Sequence, residues 1–207
     1  MMARTVSPIL IASILAAAAS LASAERASPA RVVKCEGPFG RNASHDDLVK
    51  AFGAANVVYQ DVAGAEGEKV KATVLFPTDR KARLEVFWSD ENARRGPMLR
   101  VKDQSAWASP NGIHIGMALA DVEKLNGKPF KLQGFGKDGL APVSDWNGGS
   151  FNTWSADCKL GLRLKADSKA TAEARAAVAG EKEFLSSDAA IRALKPSVGE
   201  ILLAYQE

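Results

Sequence analysis

The segment most suggestive of chemistry is residues 134–139, which read GFGKDG and match the pattern G-x-G-x-x-G. In dinucleotide-binding folds these glycines lead into a helix whose N-terminus holds a pyrophosphate. Here the next residues, 140–143, are Leu-Ala-Pro-Val, which is typical of a loop or a strand. We therefore predict a tight glycine turn at this position rather than a nucleotide site.

The other residues with catalytic potential are two histidines, His45 and His114. They lie 69 positions apart, which is not a zinc-ligand spacing, and we expect both on the surface. No G-x-S-x-G nucleophile elbow occurs. We predict that the chain is not an enzyme, binds no metal and needs no cofactor. A pair of carboxylates suited to glycoside hydrolysis stays open as an alternative.

Aromatic residues at strands and turns are the candidates for binding. Exposed tryptophans often anchor protein interfaces and carbohydrate sites, and residues 146–151, WNGGSF, set large rings beside glycines. The alternative is that these rings fill the core between sheet and helices. The candidate binding residues are Trp88, Trp146, Phe151, Trp154 and Phe135.

Residues 1–24 predict export. Arg4 precedes an apolar run over 8–21 that closes on Leu-Ala-Ser-Ala, an arrangement typical of a cleavable signal peptide. The alternative, a membrane anchor, needs roughly 20 apolar residues, and this run is shorter. We expect a mature protein that is periplasmic or secreted and has no stable membrane insertion.

The chain has two cysteines, Cys35 and Cys158. In an oxidising compartment such a pair usually forms a disulfide, although two free buried thiols are the alternative. Loss of Arg4 lowers the formal charge from +3 to +2, so neither nucleic acid nor an anionic membrane is an expected partner.

An internal repeat organises the chain. Residues 47–53 align with 121–127 at a shift of 74, with Asp, Lys and Gly coinciding. Chance is an alternative, because the identity is thin. We predict two tandem units that follow the signal peptide, 25–108 and 109–207, the second extended by helices and a C-terminal strand.

Each predicted unit opens with a short helix. In the first, Ser44 is the N-cap, Asp46 and Asp47 lie in the first turn, and Gly53 follows the last residue. The second helix covers 117–126, and Gly127 ends it. The fold class is α+β with antiparallel sheets. Alternating apolar residues predict strands, which we list with two later helices: strands 57–61, 70–76, 84–88, 98–101, 113–115, 130–135, 146–154, 160–164 and 198–205, and helices 170–179 and 186–194.

Residues 44–53 and 112–130 resemble segments of the BLIP-like superfamily of periplasmic proteins. The second fits its pattern of Gly116-Met117, Val122 and Gly127-Lys128-Pro129. That superfamily includes the tandem-repeat β-lactamase inhibitory protein and small outer-membrane assembly lipoproteins of the SmpA/OmlA type. The chain also resembles exported bacterial proteins that carry the GFG and W-x-GG segments. The resemblance implies helix-then-sheet repeats and non-enzymatic binding of a protein.

The predicted function is therefore that of an exported protein that binds another envelope protein, as an inhibitor or an assembly factor, through an aromatic sheet face. The alternative is a protein that binds carbohydrate or fragments of peptidoglycan with the same rings. A hydrolase with an unrecognised site is a third hypothesis.

Overall fold

The computed structural model describes residues 31–64, 68–90, 94–153 and 158–205. The predicted signal peptide and Trp154 lie outside these ranges. In the described part of the chain, no helix has both the length and the apolar character that crossing a bilayer requires.

A nine-stranded sheet dominates the structure, and every neighbouring pair in it is antiparallel. The strand order is β10-β7-β8-β9-β11-β5-β4-β3-β2, and β1 pairs with β6 separately and in parallel. The strands are β1 (Arg31–Val32), β2 (Val57–Ala63), β3 (Lys69–Leu75), β4 (Leu84–Asp90), β5 (Arg95–Lys102), β6 (Trp107–Ala108), β7 (Lys131–Gln133), β8 (Leu140–Asp145), β9 (Cys158–Lys165), β10 (Glu183–Leu185) and β11 (Ser197–Tyr205).

Four α-helices accompany the sheet in the described ranges, which confirms the α+β class. In the first helix the Ser44 side chain accepts from the Asp47 backbone, while the Asp47 carboxylate accepts from the Ser44 N–H. This reciprocal cap satisfies two orphan donors and fixes where the helix begins. The helices are α1 (His45–Phe52), α2 (Leu119–Asn126), α3 (Ala172–Ala177) and α4 (Ala189–Ala193).

Strand alternation gives the sheet two different faces. Leu84, Val86 and Trp88 of β4 point into the main core, to which all four helices contribute or against which they pack. Glu85 and Phe87 point the other way. A second, smaller core on that side contains strand residues only. We call this side the helix-free face; it carries Glu85, Phe87, Met98, Arg100, Lys102, Arg163, Glu200 and Leu202.

A disulfide joins Cys35 and Cys158, as the sequence predicts, across a separation of 123 residues. It ties the N-terminal segment to the start of β9, with the two Cα atoms 6.2 Å apart. Cys158 is buried in the main core. The bond therefore crosslinks two residues that are distant in sequence, with Cys158 inside the main core and Cys35 partly buried against it.

Some predicted elements are wrong. The predicted strand 113–115 is a turn with one isolated bridge, from Ala108 to His114. The predicted strand 146–154 is a turn followed by a short 3-10 helix, Ser150–Thr153. Residues 146–154 do not form a strand because Gly148 has a φ of 67°, which strands do not adopt. The sequence also gave no signal for β10, a three-residue edge strand.

Candidate functional site

The glycine segment 134–139 is the turn between β7 and β8, as predicted. A Cβ at Gly134 would come within 2.5 Å of the Gly180 carbonyl oxygen and 2.6 Å of that of Val178, so a close backbone approach requires this glycine. Gly139 has a φ of 74° and closes the turn, with its N–H donating to the Gly136 carbonyl at 2.9 Å. Strand β8 follows instead of a helix, so these glycines shape a hairpin.

The two histidines occupy different environments. His114 is exposed, and its Nδ1 lies 3.0 Å from its neighbour's carbonyl oxygen. His45 is half-buried, contrary to the prediction, and its Nδ1 lies 2.8 Å from Thr73 Oγ1. Burial, and then the charge of Arg94, lower the pKa of His45. The described residues contain no cluster of three potential metal ligands.

The four described aromatic candidates lie in the core, which corrects the prediction of an aromatic binding face. Trp88 is 6% exposed and Trp146 is 8% exposed, and Phe135 and Phe151 are equally enclosed. Trp88 Nε1 donates to Thr73 Oγ1 at 2.9 Å, and Trp146 Nε1 donates to the Leu160 carbonyl at 3.1 Å. Each indole N–H therefore has a partner inside the protein, so the ring can be buried without an unpaired donor.

The buried side-chain amide of Asn126 holds the WNGGSF segment in its conformation through hydrogen bonds. Asn126, at the end of α2, donates to the carbonyls of Lys128 and Trp146 and accepts from the Phe151 N–H. A Cβ at Gly149 would lie 2.2 Å from the Asn126 amide. The Trp146 ring packs against Phe151 with centroids 5.0 Å apart. These residues form a structural turn rather than an exposed platform for sugars.

The helix-free face holds a network of ion pairs, and none of its residues is among the predicted site residues. Glu85 is 1% exposed, and its carboxylate accepts from Arg83 and Arg100, with Arg100 Nη2 at 2.6 Å from Oε2. Lys102 Nζ is 3.9 Å from the same carboxylate. On the neighbouring strands Arg163 bridges Glu200 and Asp138.

Apolar side chains lie beside this network. Phe87 is half-buried under the Arg100 guanidinium, whose carbon is 4.7 Å from the ring centroid. Met98 pairs with Phe87 across β4 and β5 and is 40% exposed. Leu202 lies in the same cross-strand row as Arg100. Cationic and apolar groups therefore alternate over the centre of the sheet.

Two depressions meet at Phe87 and Met98. One has a volume of about 520 Å³ and runs from Val70 across the face to Leu140, with Arg100, Lys102 and Arg163 along it. The other, of about 510 Å³, continues past Met98 to Tyr205 at the end of β11. The carboxylates of the first, Asp138 and Glu200, are both paired with Arg163. Basic side chains outnumber carboxylates along the first depression, and its apolar side chains are accessible, so the arrangement suits binding of an apolar or acidic surface.

A sequence signal for this network exists in the strands themselves. Charged residues stand between apolar ones in Leu84-Glu85-Val86, in Leu99-Arg100-Val101-Lys102 and in Leu162-Arg163-Leu164. Such alternation predicts that the charges share the face opposite the core once the strands pair. It does not predict which charges meet, because that depends on register.

No family model matches this chain, and neither a curated protein nor a solved structure matches it.

Proposed function

We propose that this chain is an exported, non-enzymatic protein that binds another protein of the cell envelope through its helix-free face. The leader pattern of residues 1–24 supports export. The disulfide between Cys35 and Cys158 supports an oxidising compartment, where such bonds persist.

The observation that carries the binding proposal is the difference between the two sheet faces. The main core covers one face with helices, whereas the described residues place no helix on the other. That face presents Phe87 and Met98 beside Arg100, and Phe, Met and Arg are enriched in protein interfaces. Accessible apolar groups within a polar rim mark interaction sites.

The finer architecture is also a proposal: two tandem units, 25–108 and 109–207. In the first, α1 precedes β2 to β5; in the second, α2 precedes β7, β8, β9 and β11. The strand order places β5 next to β11, so the units would meet at their last strands and share one sheet. This order agrees with the helix-then-sheet repeats that the BLIP-like resemblance implies.

A protein partner, inhibited or assembled by this chain, is favoured over a glycan. Sugar recognition generally needs exposed ring faces, and Trp88 and Trp146 are buried. Protein recognition needs a broad surface with apolar and charged groups interspersed, and the helix-free face has that composition. The test below therefore includes a result that would favour the glycan alternative.

The test uses a photo-reactive amino acid at Met98 and, as a control, at Leu125, which is 39% exposed on α2. Both proteins are expressed in the native host, irradiated, and their adducts identified by mass spectrometry. We expect a discrete protein adduct from position 98 and none from 125. Met98→Glu should abolish recovery of that partner in a pull-down, while Leu125→Glu should not.

Equal adducts at both positions would refute the use of this face. Retention of the purified protein on cell-wall material, together with no protein adduct at position 98, would favour the glycan alternative instead. Circular dichroism of each variant establishes that the fold persists.

A further inference from the structure

Among the residues that the structure describes, strand β2 forms one edge of the nine-stranded sheet and has little of the usual protection of such an edge. Its sequence, VVYQDVA, contains neither proline nor lysine, and its one charged residue, Asp61, is paired with Lys71 of β3 at 2.8 Å. Its register with β3 runs without a bulge from Val57↔Leu75 to Ala63↔Lys69. Natural proteins commonly blunt exposed edges with these residues or with bulges, because free backbone groups invite another strand.

The hydrogen bonds that flank the ladder show which backbone groups face outward. Phe76 N–H donates to the Asn56 carbonyl at 2.8 Å, and Gly64 N–H donates to the Glu68 carbonyl at 2.7 Å. Residues of an antiparallel strand alternate between bonding inward and outward. Even-numbered residues of β2 therefore bond to β3, and odd-numbered residues point their N–H and C=O groups away from the sheet.

Two of these outward groups already have partners inside the chain. The Val57 N–H donates to the Ala54 carbonyl. The Ala63 carbonyl accepts from Arg100 Nη2 at 2.6 Å. Within the described ranges no hydrogen bond reaches the Val57 carbonyl, the Ala63 N–H, or either backbone group of Tyr59 and Asp61.

We propose that β2 pairs with β2 of a second copy of this chain, antiparallel and in one register, with a two-fold axis at Gln60. Tyr59 then exchanges both hydrogen bonds with Asp61 of the second copy. Val57 faces Ala63 of the second copy, so the free carbonyl of one meets the free N–H of the other. In that same pair the occupied N–H of Val57 faces the occupied carbonyl of Ala63, and no group is left without a partner.

The pattern of free and occupied groups is what selects a second copy. A strand from an unrelated protein would present a carbonyl opposite the occupied Val57 N–H and would leave that carbonyl without a donor. An antiparallel copy of β2 places the Ala63 carbonyl at that position, and this carbonyl already accepts from Arg100 of its own chain. Six inter-chain hydrogen bonds result, and all twelve participating groups are satisfied.

The side chains are compatible with this register. On the helix-free face Val58 lies opposite Val62 of the second copy, and Gln60 lies opposite itself. On the other face Tyr59 lies opposite Asp61. Directly opposed apolar pairs stabilise antiparallel strands. Because the two-fold axis is perpendicular to the sheet, both helix-free faces lie on the same side of the dimer.

This pairing rests on the edge alone and does not depend on the proposed function of the face. One pair of strands buries less surface than the standard interface of about 1,600 Å². We therefore expect a weak dimer whose population rises with protein concentration.

Cysteine crosslinking tests the register. In Gln60→Cys the two new thiols lie directly opposite each other, with Cβ atoms about 5 Å apart. In Val58→Cys they lie four residues apart in register, roughly 14 Å along the strands, which is beyond the reach of a disulfide. Mild oxidation at high protein concentration should give a covalent dimer with Q60C and not with V58C. Peptide mapping checks that Cys35 and Cys158 remain paired.

Light scattering after size-exclusion chromatography tests the edge without any new thiol. Val58→Lys should abolish the concentration-dependent rise in mass, because it places a charge against an apolar partner. Leu185→Lys, at a residue 39% exposed on the opposite edge strand β10, should leave the rise unchanged. A purely monomeric wild type at millimolar concentration, equal crosslinking by both cysteine variants, or loss of the dimer in L185K would overturn the proposal.

Discussion

The contact between Asn126 and Gly149 allows a sharp test of the structure. Asn126→Ala removes three hydrogen bonds, at 2.9, 3.1 and 3.3 Å, from a site where the Asn126 side chain is almost fully buried. At about 1 kcal/mol each, the loss is about 3 kcal/mol in the free energy of unfolding. Gly149→Ala should also destabilise, by about 1–3 kcal/mol, because its Cβ would press against the amide.

The two substitutions should not add. Once Asn126 is shortened to Ala, the atoms that a Cβ at position 149 meets are gone, so the double variant should be about as stable as Asn126→Ala alone. The expected coupling energy therefore equals the cost of Gly149→Ala by itself. The neighbouring Gly148 serves as a control for Gly149, because it has a φ of 67° and nothing lies within 4 Å of its Cβ position. Gly148→Ala should cost about 1 kcal/mol from strain, and this cost should add to that of Asn126→Ala.

Urea denaturation followed by circular dichroism, with the disulfide intact, measures all five variants against the wild type. Additive effects of Asn126→Ala and Gly149→Ala would refute the packing described here. A coupling of the same size between Asn126→Ala and Gly148→Ala would also refute it.

Two further predictions concern the disulfide and His45. Replacing Cys35 and Cys158 with Ala should lower the free energy of unfolding by about 5 kcal/mol in the chain-entropy model, because the closed loop spans 123 residues. The same denaturation assay measures this loss. A loss below about 1 kcal/mol would contradict the idea that the disulfide acts by constraining the unfolded chain. The lowered pKa of His45, caused by burial and then by Arg94, favours the neutral ring in the folded state. The stability that the neutral His45 ring contributes to the fold is therefore complete above the unfolded pKa of about 6.5. This stability is lost as the pH falls through the lower pKa of the folded state. Wild type should exceed His45→Gln in stability by more at about pH 8 than at about pH 5, and a constant difference would argue against the buried contact with Thr73.

Local signals in the sequence were sufficient for much of the fold. Ser44, the acids after it and Gly53 predict α1 to the residue, because a reciprocal cap and a positive-φ glycine act within one turn. Alternating residues predict β2, β3, β4 and β11 to within two residues at each end. The predicted start of α2 at Met117 was early. The Met117 carbonyl accepts instead from the Val198 N–H, a tertiary contact that local propensity does not include.

The site was harder to predict, and the tryptophans show why. A ring beside glycines in a polar segment has the same local sequence whether it lies in a core or on a surface. Trp146 is buried because Asn126, Phe130 and Leu160 surround it, and these come from two other segments of the chain, the end of α2 with the residues after it and strand β9. Burial also depends on an acceptor for the indole N–H, which only the assembled sheet provides.

The face on which the charged strand residues lie was, in contrast, predictable from the sequence. Glu85 and Arg100 stand between apolar neighbours in their strands, so strand alternation alone places them away from the helices. What alternation does not give is the pairing, which the β4–β5 register supplies by setting Glu85 opposite Arg100. A buried carboxylate held by two guanidinium groups adds little net stability, but it fixes the Arg100 side chain over Phe87 and against the Ala63 carbonyl. The same arginine therefore shapes the helix-free face and gives the Ala63 carbonyl a donor, so that in a paired second copy this carbonyl can face the occupied Val57 N–H without being left unpaired.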